Sequence, residues 1–353
     1  MSLYPLLLQP MYKEKVWGGR SLQRLGRSLP GGADATIGES WELADLAATS
    51  ESGGGGAAAE SRIRNGPLIK RTIGEVARDF GSLVTGSMQP EPEGRFPLLV
   101  KYLDARENLS VQVHPSPEYA AEHPDAKLKS EAWYVIAAEP GATIYKGIAE
   151  GTSPEAFQEA LDEGRVDELL LRFEARPGDC HYLPSGTCHA LGGGILVAEI
   201  QTPSDTTFRV WDWNRDPPRP LHREEAMACI EFGPARTAAF EPGTRRRDGG
   251  AESRQLVSCP HFAIREWRVG GGERLPFTSD DLAVLMCVEG GGRLSWGTEA
   301  NRFLAVRSGD TVVLPAALTT TVLEADDPML LLEISPPIPA QARASENGRD
   351  REI

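Results

Sequence analysis

The stretch that decides the fold is GDCHYLPSGTCH, which runs from Gly178 to His189. Its glycines and its proline stand at offsets that suit a β-hairpin, because these residues supply the backbone angles of tight turns. The turn presents the final histidine inward. We therefore predict a small β-barrel built on this hairpin, with the histidine serving chemistry inside it.

An earlier stretch, residues 112–131, supplies further groups that a metal site needs. Gln112 and His114 share one face of a predicted strand because side chains alternate along strands, and the stretch ends at Glu131. Two imidazoles and a carboxylate bind divalent first-row metals and leave positions open for water or substrate. We predict a metal site formed by His114, Glu131 and His189, with the amide oxygen of Gln112 as a fourth ligand.

Three neighbours of the hairpin histidine are weaker candidates. His181 lies on the strand before the turn, so it lacks the post-turn position of a ligand. Cys180 and Cys188 flank the two histidines, but the usual burial of small thiols explains them about as well as metal binding does.

The hairpin sequence recurs once in the chain. GDCHYLPSGTCH aligns with GDTVVLPAALTT at Gly309 to Thr320, and the two copies share Gly, Asp, Leu and Pro. In the second copy Thr320 replaces His189, and Leu282 stands at the position matching Glu131. Residues that a barrel needs should recur, whereas residues needed only for chemistry need not. The repeat predicts two barrels, of which only the first holds metal ligands.

The remaining pattern predicts a mainly β protein with a few short helices, because short β-branched and aromatic runs recur at steady intervals. Thr72 and Glu75 have the spacing of a helix capping box, and Ser153 is a plausible N-cap for a second helical stretch. We divide the chain into an N-terminal segment with one helix that packs on the barrels (1–95), a metal-binding catalytic barrel (96–215), a connecting segment (216–255), a second barrel without metal ligands (256–336) and a disordered tail (337–353).

Composition narrows the partners. The 353-residue chain has a formal net charge of −14, so its long-range field repels nucleic acid and anionic membranes, and an anionic substrate requires local cations. The five cysteines lack a C-x-x-C pair, and the N-terminal apolar run is too short for a signal peptide. We expect a cytoplasmic protein with reduced thiols, a small-molecule substrate, no nucleic acid or membrane partner, and a monomeric or weakly dimeric state.

The spacing of Gly178, Pro184, Gly186 and His189 resembles the second motif of the cupin superfamily, whose fold is a jelly-roll barrel. Longer stretches resemble type I mannose-6-phosphate isomerases, and most of all their short bacterial branch. These stretches are VWGG (16–19), GESWELAD (38–45), FPLLVKYLDARENLSVQVHP (96–115), KSEAWYV (129–135) and EIQTPSDTTFRVWDWNR (199–215).

The resemblance implies two cupin-type β-barrels, interconversion of mannose 6-phosphate and fructose 6-phosphate, and an active-site arginine at Arg209. It also implies zinc, with other divalent metals as alternatives, held by positions matching Gln112, His114, Glu131 and His189. Many longer members have HKPE where this chain has LKSE, so the lysine before the carboxylate is retained while its neighbours differ.

Such an isomerisation moves a proton between C1 and C2 through an enediolate, whose negative oxygen a Lewis-acid metal stabilises. We predict that Arg209 stabilises the developing charge and that Glu199 is a candidate base, although an ion pair with Arg209 explains Glu199 equally well. Lys129 is a candidate both for catalysis and for the substrate phosphate, and Arg215 is a second candidate for the phosphate.

Two other functions fit the same ligands. Two histidines and a carboxylate also form the Fe(II) site of cupin oxygenases. A non-catalytic sugar-binding or regulatory cupin is the second alternative, for which retained metal without turnover would be diagnostic.

Overall fold

A computed structural model describes residues 2–50, 55–232, 243–278, 281–298 and 302–337. The prediction of a mainly β fold with a few short helices is confirmed, since most described elements are strands arranged in antiparallel sheets. The predicted disordered tail, apart from Pro337, and residues 233–242 of the connecting segment lie outside the described residues.

The N-terminal segment contains short strands, two α-helices and two single-turn 3₁₀ helices. The strands are Leu6–Leu7 (β1), Met11–Gly19 (β2), Ile37–Leu43 (β3), Asp45–Leu46 (β4) and Ala59–Glu60 (β5). The helices are Ser21–Leu25 (3₁₀), Ile73–Phe80 (α1), Ser82–Thr85 (α2) and Pro92–Gly94 (3₁₀). This segment is therefore richer in helical turns than the single helix that the sequence pattern indicates.

The first barrel follows. Its strands are Leu99–Ala105 (β6), Val111–Val113 (β7), Glu131–Ala138 (β8), Thr143–Ile148 (β9), Leu170–Glu174 (β10), Cys180–Leu183 (β11), His189–Leu191 (β12), Ile195–Gln201 (β13) and Phe208–Trp211 (β14). Its helices are Pro117–Glu122 (α3), Pro154–Asp162 (α4) and Val166–Leu169 (3₁₀), and Arg223–Cys229 (α5) comes next.

The second barrel consists of strands alone within the described residues. They are Arg246–Asp248 (β15), Ala251–Ser258 (β16), Ala263–Val269 (β17), Arg274–Phe277 (β18), Ala283–Glu289 (β19), Gly291–Trp296 (β20), Phe303–Arg307 (β21), Thr311–Leu314 (β22), Thr321–Ala325 (β23) and Met329–Ser335 (β24).

Both predicted helix starts have the expected caps. The hydroxyl of Thr72 accepts a hydrogen bond from the Glu75 amide at 3.2 Å, and the Thr72 amide donates to the Glu75 carboxylate at 2.9 Å. The hydroxyl of Ser153 accepts from the Ala156 amide at 3.1 Å. Each cap satisfies amides that the first turn of a helix leaves unpaired.

Each barrel is formed by two facing sheets. In the first barrel a six-stranded sheet, β11-β8-β13-β6-β2-β3, faces a five-stranded sheet, β10-β9-β12-β7-β14. In the second, a seven-stranded sheet, β1-β22-β19-β24-β17-β16-β15, faces a four-stranded sheet, β18-β23-β20-β21. The N-terminal segment thus supplies strands to both barrels.

The six-stranded and seven-stranded sheets pack against each other through one large apolar cluster. Strand β13 shows how one strand serves two cores: Leu196, Ala198 and Ile200 join this cluster. Val197 points the other way into the core of the first barrel, and Glu199 shares its face because side chains alternate along a strand. Burial of each large apolar side chain contributes roughly 1.5–3 kcal/mol, so this interface holds the barrels together.

The strand register corrects one detail of the repeat. Glu131 pairs with Leu183 in the first barrel, and the residue that pairs with Leu314, the counterpart of Leu183, is Ala283. The second-barrel position matching Glu131 is therefore Ala283 and not Leu282. An alanine methyl group cannot bind a metal, so the predicted loss of the carboxylate holds at the corrected position.

Within the described ranges, no helix has both the length and the apolar character needed to cross a bilayer.

Candidate metal centre

The three predicted ligands His114, Glu131 and His189 meet between the two sheets of the first barrel. Their ligand atoms all lie within 4.8 Å of one another, and all three side chains are buried. His114 follows β7 and His189 begins β12 on the five-stranded sheet, whereas Glu131 begins β8 on the six-stranded sheet. The site therefore depends on the two sheets facing each other.

Backbone carbonyls orient both imidazoles. Nδ1 of His114 lies 3.1 Å from the Thr206 carbonyl oxygen, and Nδ1 of His189 lies 2.8 Å from that of Thr187. A carbonyl oxygen only accepts, so each Nδ1 carries the proton and each Nε2 of the neutral ring presents a lone pair.

Those lone pairs point at a carboxylate. Nε2 of His114 lies 3.3 Å from Oε2 of Glu131, and Nε2 of His189 lies 3.1 Å from Oε1. Neither Nε2 atom has a hydrogen-bond partner within the described residues. Buried acceptors facing one another repel unless a cation lies between them, so this donor set fits a divalent metal ion.

The charges around the cluster favour its metal-binding protonation states. Burial lowers the pKa of His114 to about 3, and the ammonium of Lys129 adds to this effect. Burial alone would raise the pKa of Glu131, but Lys129 and His114 outweigh it and hold that pKa well below its usual range. A neutral imidazole and an ionised carboxylate are the forms that bind metals.

Lys129 is buried beside the cluster, with Nζ 2.7 Å from Oε2 of Glu131. It also lines a cavity next to the cluster, together with Gln112, Glu199 and Arg209. The cavity thus brings together four further residues that the sequence singled out, namely Gln112, Lys129, Glu199 and Arg209.

Gln112 lies on the five-stranded sheet between His189 and Arg209, its partners on the neighbouring strands. Its side chain is buried and faces the cavity. This position keeps the amide close to the cluster, and its role as a fourth ligand remains a prediction.

Glu199 forms an ion pair with a different cation from the one expected. Its Oε2 lies 3.1 Å from Nζ of Lys101 on the adjacent strand, and its Oε1 accepts a hydrogen bond of 3.0 Å from the Trp133 indole. The suggested ion pair with Arg209 is therefore replaced by one with Lys101. Burial, reinforced by the charge of Glu131, raises the pKa of Glu199 even though Lys101 opposes the shift.

A second charged pair lines the same cavity and was not singled out from the sequence. Nζ of Lys15 lies 3.2 Å from Glu39, whose other oxygen accepts a 2.6 Å hydrogen bond from the Trp41 indole. Burial opposes ionisation of Glu39, but Lys15 and Lys101 outweigh it and lower its pKa to about 2. The alternating pattern of GESWEL could have indicated this pair, because it places Glu39 and Trp41 on one face of a strand.

The arginines in and after β14 have different environments. Arg209 lines the cavity, and its Nε has no hydrogen-bond partner within the described ranges, although its guanidinium also donates to the Pro220 carbonyl. Arg215 lies outside that cavity and pairs with Glu107 at 2.8 Å.

Arg219, which the sequence did not single out, lines the cavity instead. Two of its nitrogens donate to the carboxylate of Asp212 at 2.6 and 2.7 Å. Arg219 is thus the better placed of the two for a ligand phosphate, because a bidentate ion pair fixes its guanidinium at the cavity wall.

His181 does not belong to the ligand cluster. It is buried beside Phe173, with ring centroids 6.1 Å apart, and burial lowers its pKa to about 4. The post-turn position thus separates His189 from His181, as the hairpin pattern predicts.

Comparison with known proteins agrees with this geometry. Residues 6–139 match the family model of the phosphomannose isomerase type I catalytic domain. The chain is 34% identical over 327 residues to mannose-6-phosphate isomerase of Streptococcus mutans, which covers 91% of this chain and 96% of that protein. The chain belongs to the type I phosphomannose isomerase family. Mannose-6-phosphate isomerase of Bacillus subtilis is likewise 34% identical, over 92% of this chain and 97% of its own length.

Solved structures of the family share the fold. The crystal structure of mannose 6-phosphate isomerase from Bacillus subtilis superposes with a TM-score of 0.80 at 30% identity, covering 94% of this chain and 99% of that one. A putative mannosephosphate isomerase from Archaeoglobus fulgidus gives a TM-score of 0.71 at 20% identity, which shows likeness of fold alone. Membership of this family disfavours the oxygenase and the non-catalytic sugar-binding alternatives.

Proposed function

We propose that this protein is a metal-dependent aldose–ketose isomerase that interconverts mannose 6-phosphate and fructose 6-phosphate. The observation that carries the proposal is the buried cluster of His114, Glu131 and His189, whose two Nε2 lone pairs face a carboxylate beside a cavity lined by cations. Family membership supports the reaction class, since the relatives are named mannose-6-phosphate isomerases.

His114, Glu131 and His189 would hold the metal, with Gln112 as a fourth ligand. Zinc fits a set of two imidazoles and a carboxylate, and manganese is the main alternative. When bound, the ion supplies Lewis-acid stabilisation of negative charge on the sugar oxygens. The remaining steps depend on side chains of the cavity wall.

Glu199 is the proposed base for the proton that moves between C1 and C2. Trp133 and Lys101 fix its two carboxylate oxygens, at 3.0 and 3.1 Å. A pKa raised by burial makes it a stronger base than a surface glutamate, which suits proton transfer near neutral pH. The ammonium of Lys101 opposes this rise in pKa and so favours the ionised carboxylate that a base requires.

Arg209 is proposed to stabilise the negative charge that develops on the substrate. Arg209 lines the cavity, and its Nε has no hydrogen-bond partner in the described part of the chain, so its guanidinium keeps a donor that is not yet used.

For the substrate phosphate we propose Lys129 and Arg219, both of which line the cavity. Arg215 is a less suitable candidate because it lies outside this cavity and pairs with Glu107. An acidic protein with a net charge of −14 needs such local cations to bind a dianion.

The test is a coupled assay on mannose 6-phosphate with metal analysis of the same sample. We expect turnover of mannose 6-phosphate and a loss of about 10²-fold or more in kcat/KM with unphosphorylated mannose, because the phosphate supplies binding energy remote from the reacting carbons. Oxygen consumption with Fe(II), or bound metal without sugar-phosphate turnover, would instead favour the oxygenase or the non-catalytic cupin.

The cytoplasmic location and the monomeric or weakly dimeric state are part of this proposal. Fractionation of cells and light scattering of the purified protein test them directly.

A further inference from the structure

The two hairpins of the internal repeat each accept a hydrogen bond from an arginine whose side chain is 9% exposed. Gly178 begins the first hairpin, and its carbonyl accepts from Nη2 of Arg254 at 2.6 Å. Gly309 holds the equivalent place in the second hairpin, and its carbonyl accepts from Nη2 of Arg27. Both glycines have positive φ, at 93° and 86°, so the two turns share one backbone geometry.

Each arginine is fixed by a buried carboxylate on the sheet opposite the hairpin that it contacts. Arg254 pairs with Glu266 of the second barrel at 2.7 Å, and Arg27 pairs with Glu42 of the N-terminal segment at 2.7 Å. Glu266 is 0% exposed and Glu42 is 1% exposed. The interface between the barrels therefore contains two similar clamps, which we call the Arg254 clamp (Arg254 and Glu266) and the Arg27 clamp (Arg27 and Glu42).

The Arg254 clamp also holds a strand that carries a ligand. Tyr134 of β8 donates its hydroxyl hydrogen bond to Glu266 at 2.9 Å. Strand β8 begins at Glu131, and the ring of Trp133, next to Tyr134, lies with its centroid 5.3 Å from that of His189. One carboxylate of the second barrel thus holds the strand of Glu131 through Tyr134, and it holds the hairpin of His189 through Arg254.

The Arg27 clamp holds the equivalent hairpin of a barrel in which Ala283 and Thr320 stand where the first barrel has a carboxylate and an imidazole. The two clamps share their chemistry and differ in what the clamped hairpin carries. The Arg27 clamp can therefore serve as the control for the Arg254 clamp.

We infer that Arg254 and Glu266 are positioning residues for the metal site, through which the second barrel sets the distance between Glu131 and His189. A metal site gains affinity when its ligands are held in place before the ion arrives, because less ordering remains to be done on binding. This inference rests on the metal site of the proposed function. It assigns the second barrel a part in that function without any contact with the substrate.

The experiment compares Arg254→Lys with Arg27→Lys in the full chain. Lysine keeps a positive charge, but its shorter side chain cannot bring the ammonium to the position of Nη2, from which Arg254 donates to both the Glu266 carboxylate and the Gly178 carbonyl. The dissociation constant of Zn²⁺ is measured by competition with a chromophoric chelator, and amide hydrogen exchange is followed over residues 178–191. We expect Arg254→Lys to weaken Zn²⁺ binding about fivefold to tenfold with faster exchange in this hairpin, and Arg27→Lys to stay within about twofold of the unchanged protein.

Equal weakening in both variants would mean a general loss of stability, and it would overturn the inference, as would unchanged binding in Arg254→Lys. If that variant does not fold, Tyr134→Phe removes only the hydroxyl that contacts Glu266, and it must weaken Zn²⁺ binding more than Arg27→Lys does. The measurement needs no sugar. A split in Zn²⁺ affinity with no activity on mannose 6-phosphate would leave the inference standing and refute the proposed function.

Discussion

The space between the sheets of the first barrel holds charged and polar side chains at one end, whereas the same space in the second barrel is filled by apolar ones. Glu131 faces two imidazoles in the first barrel, and its counterpart Ala283 belongs to an apolar core that also contains Leu314 and Leu331. His189 is buried, whereas its counterpart Thr320 is exposed and immediately precedes β23. The same arrangement of strands thus accommodates either a cluster of metal-ligating residue types or an apolar core.

The largest expected effect comes from removing a proposed metal ligand of the first barrel. His189→Ala should lower kcat/KM by about 10⁴-fold or more and abolish stoichiometric metal binding, because the cluster loses one of its two imidazoles. Thr320→Ala changes the equivalent position of the second barrel and serves as the control. Metal analysis and the coupled assay should show the control at the level of the unchanged protein, and a similar loss in both variants would contradict the distinction between the barrels.

Next in size is the effect of removing the proposed stabiliser of the developing charge. Arg209→Ala should lower kcat by about 10³-fold while metal content stays unchanged, because the guanidinium lines the cavity but lies outside the ligand cluster. Arg223→Ala is the matched control, since Arg223 pairs with Asp162 at 2.9 Å and does not line the cavity. Loss of metal from Arg209→Ala would show that this arginine supports the structure of the site.

A smaller effect distinguishes the two cores. Leu183→Ala and Leu314→Ala truncate equivalent buried leucines, and each should lower the free energy of unfolding by about 3 kcal/mol. Leu183 pairs with Glu131, so its loss should also weaken metal binding, whereas Leu314→Ala should leave the metal affinity of the folded protein unchanged. Urea denaturation and metal titration measure the two quantities, and identical metal affinities would count against a link between packing and site geometry.

The smallest effect concerns pH. The pKa of Glu39 falls from 4.5 to about 2 in the folded protein, because Lys15 and Lys101 outweigh the effect of burial. A lowered carboxyl pKa contributes stability that is complete above pH 4.5 and is lost as the pH falls toward 2. Glu39→Gln should therefore cost about 2 kcal/mol at neutral pH, allowing for the partial exposure of Lys15.

Urea denaturation of the metal-free protein tests this dependence. The difference in unfolding free energy between Glu39→Gln and the unchanged chain should narrow between pH 4.5 and pH 3. A difference that stays constant over that range would show that Glu39 is not stabilised by its lysines.

The sequence allowed the fold class and the three residues of the ligand cluster to be predicted, because turn glycines, prolines and ligand types have local signatures. The comparison of GDCHYLPSGTCH with GDTVVLPAALTT predicted that His189 serves chemistry while Leu183 and Pro184 serve the barrel. The helix caps at Thr72 and Ser153 are local in the same way. These features depend on residues a few positions apart.

Contacts between distant strands could not be predicted in this way. Lys101 and Glu199 are opposite each other only because β6 and β13 pair in one register, and nothing local states that register. Strand register also decides that Ala283 matches Glu131, whereas the sequence alignment gave the neighbouring Leu282. Arg209 and Arg219 line the cavity, whereas Arg215 pairs with Glu107. Which of these arginines lines the cavity depends on how the chain after β14 packs, and no local sequence pattern predicts that packing.

The contrast between the barrels is tested most directly by stripping the metal from the purified protein and restoring it. We predict that isomerase activity disappears with the metal. It should return in proportion to the Zn²⁺ or Mn²⁺ added, up to a single ion per chain, held by His114, Glu131 and His189. Undiminished activity in the stripped protein, or a second ion of equal affinity that survives His189→Ala, would contradict it.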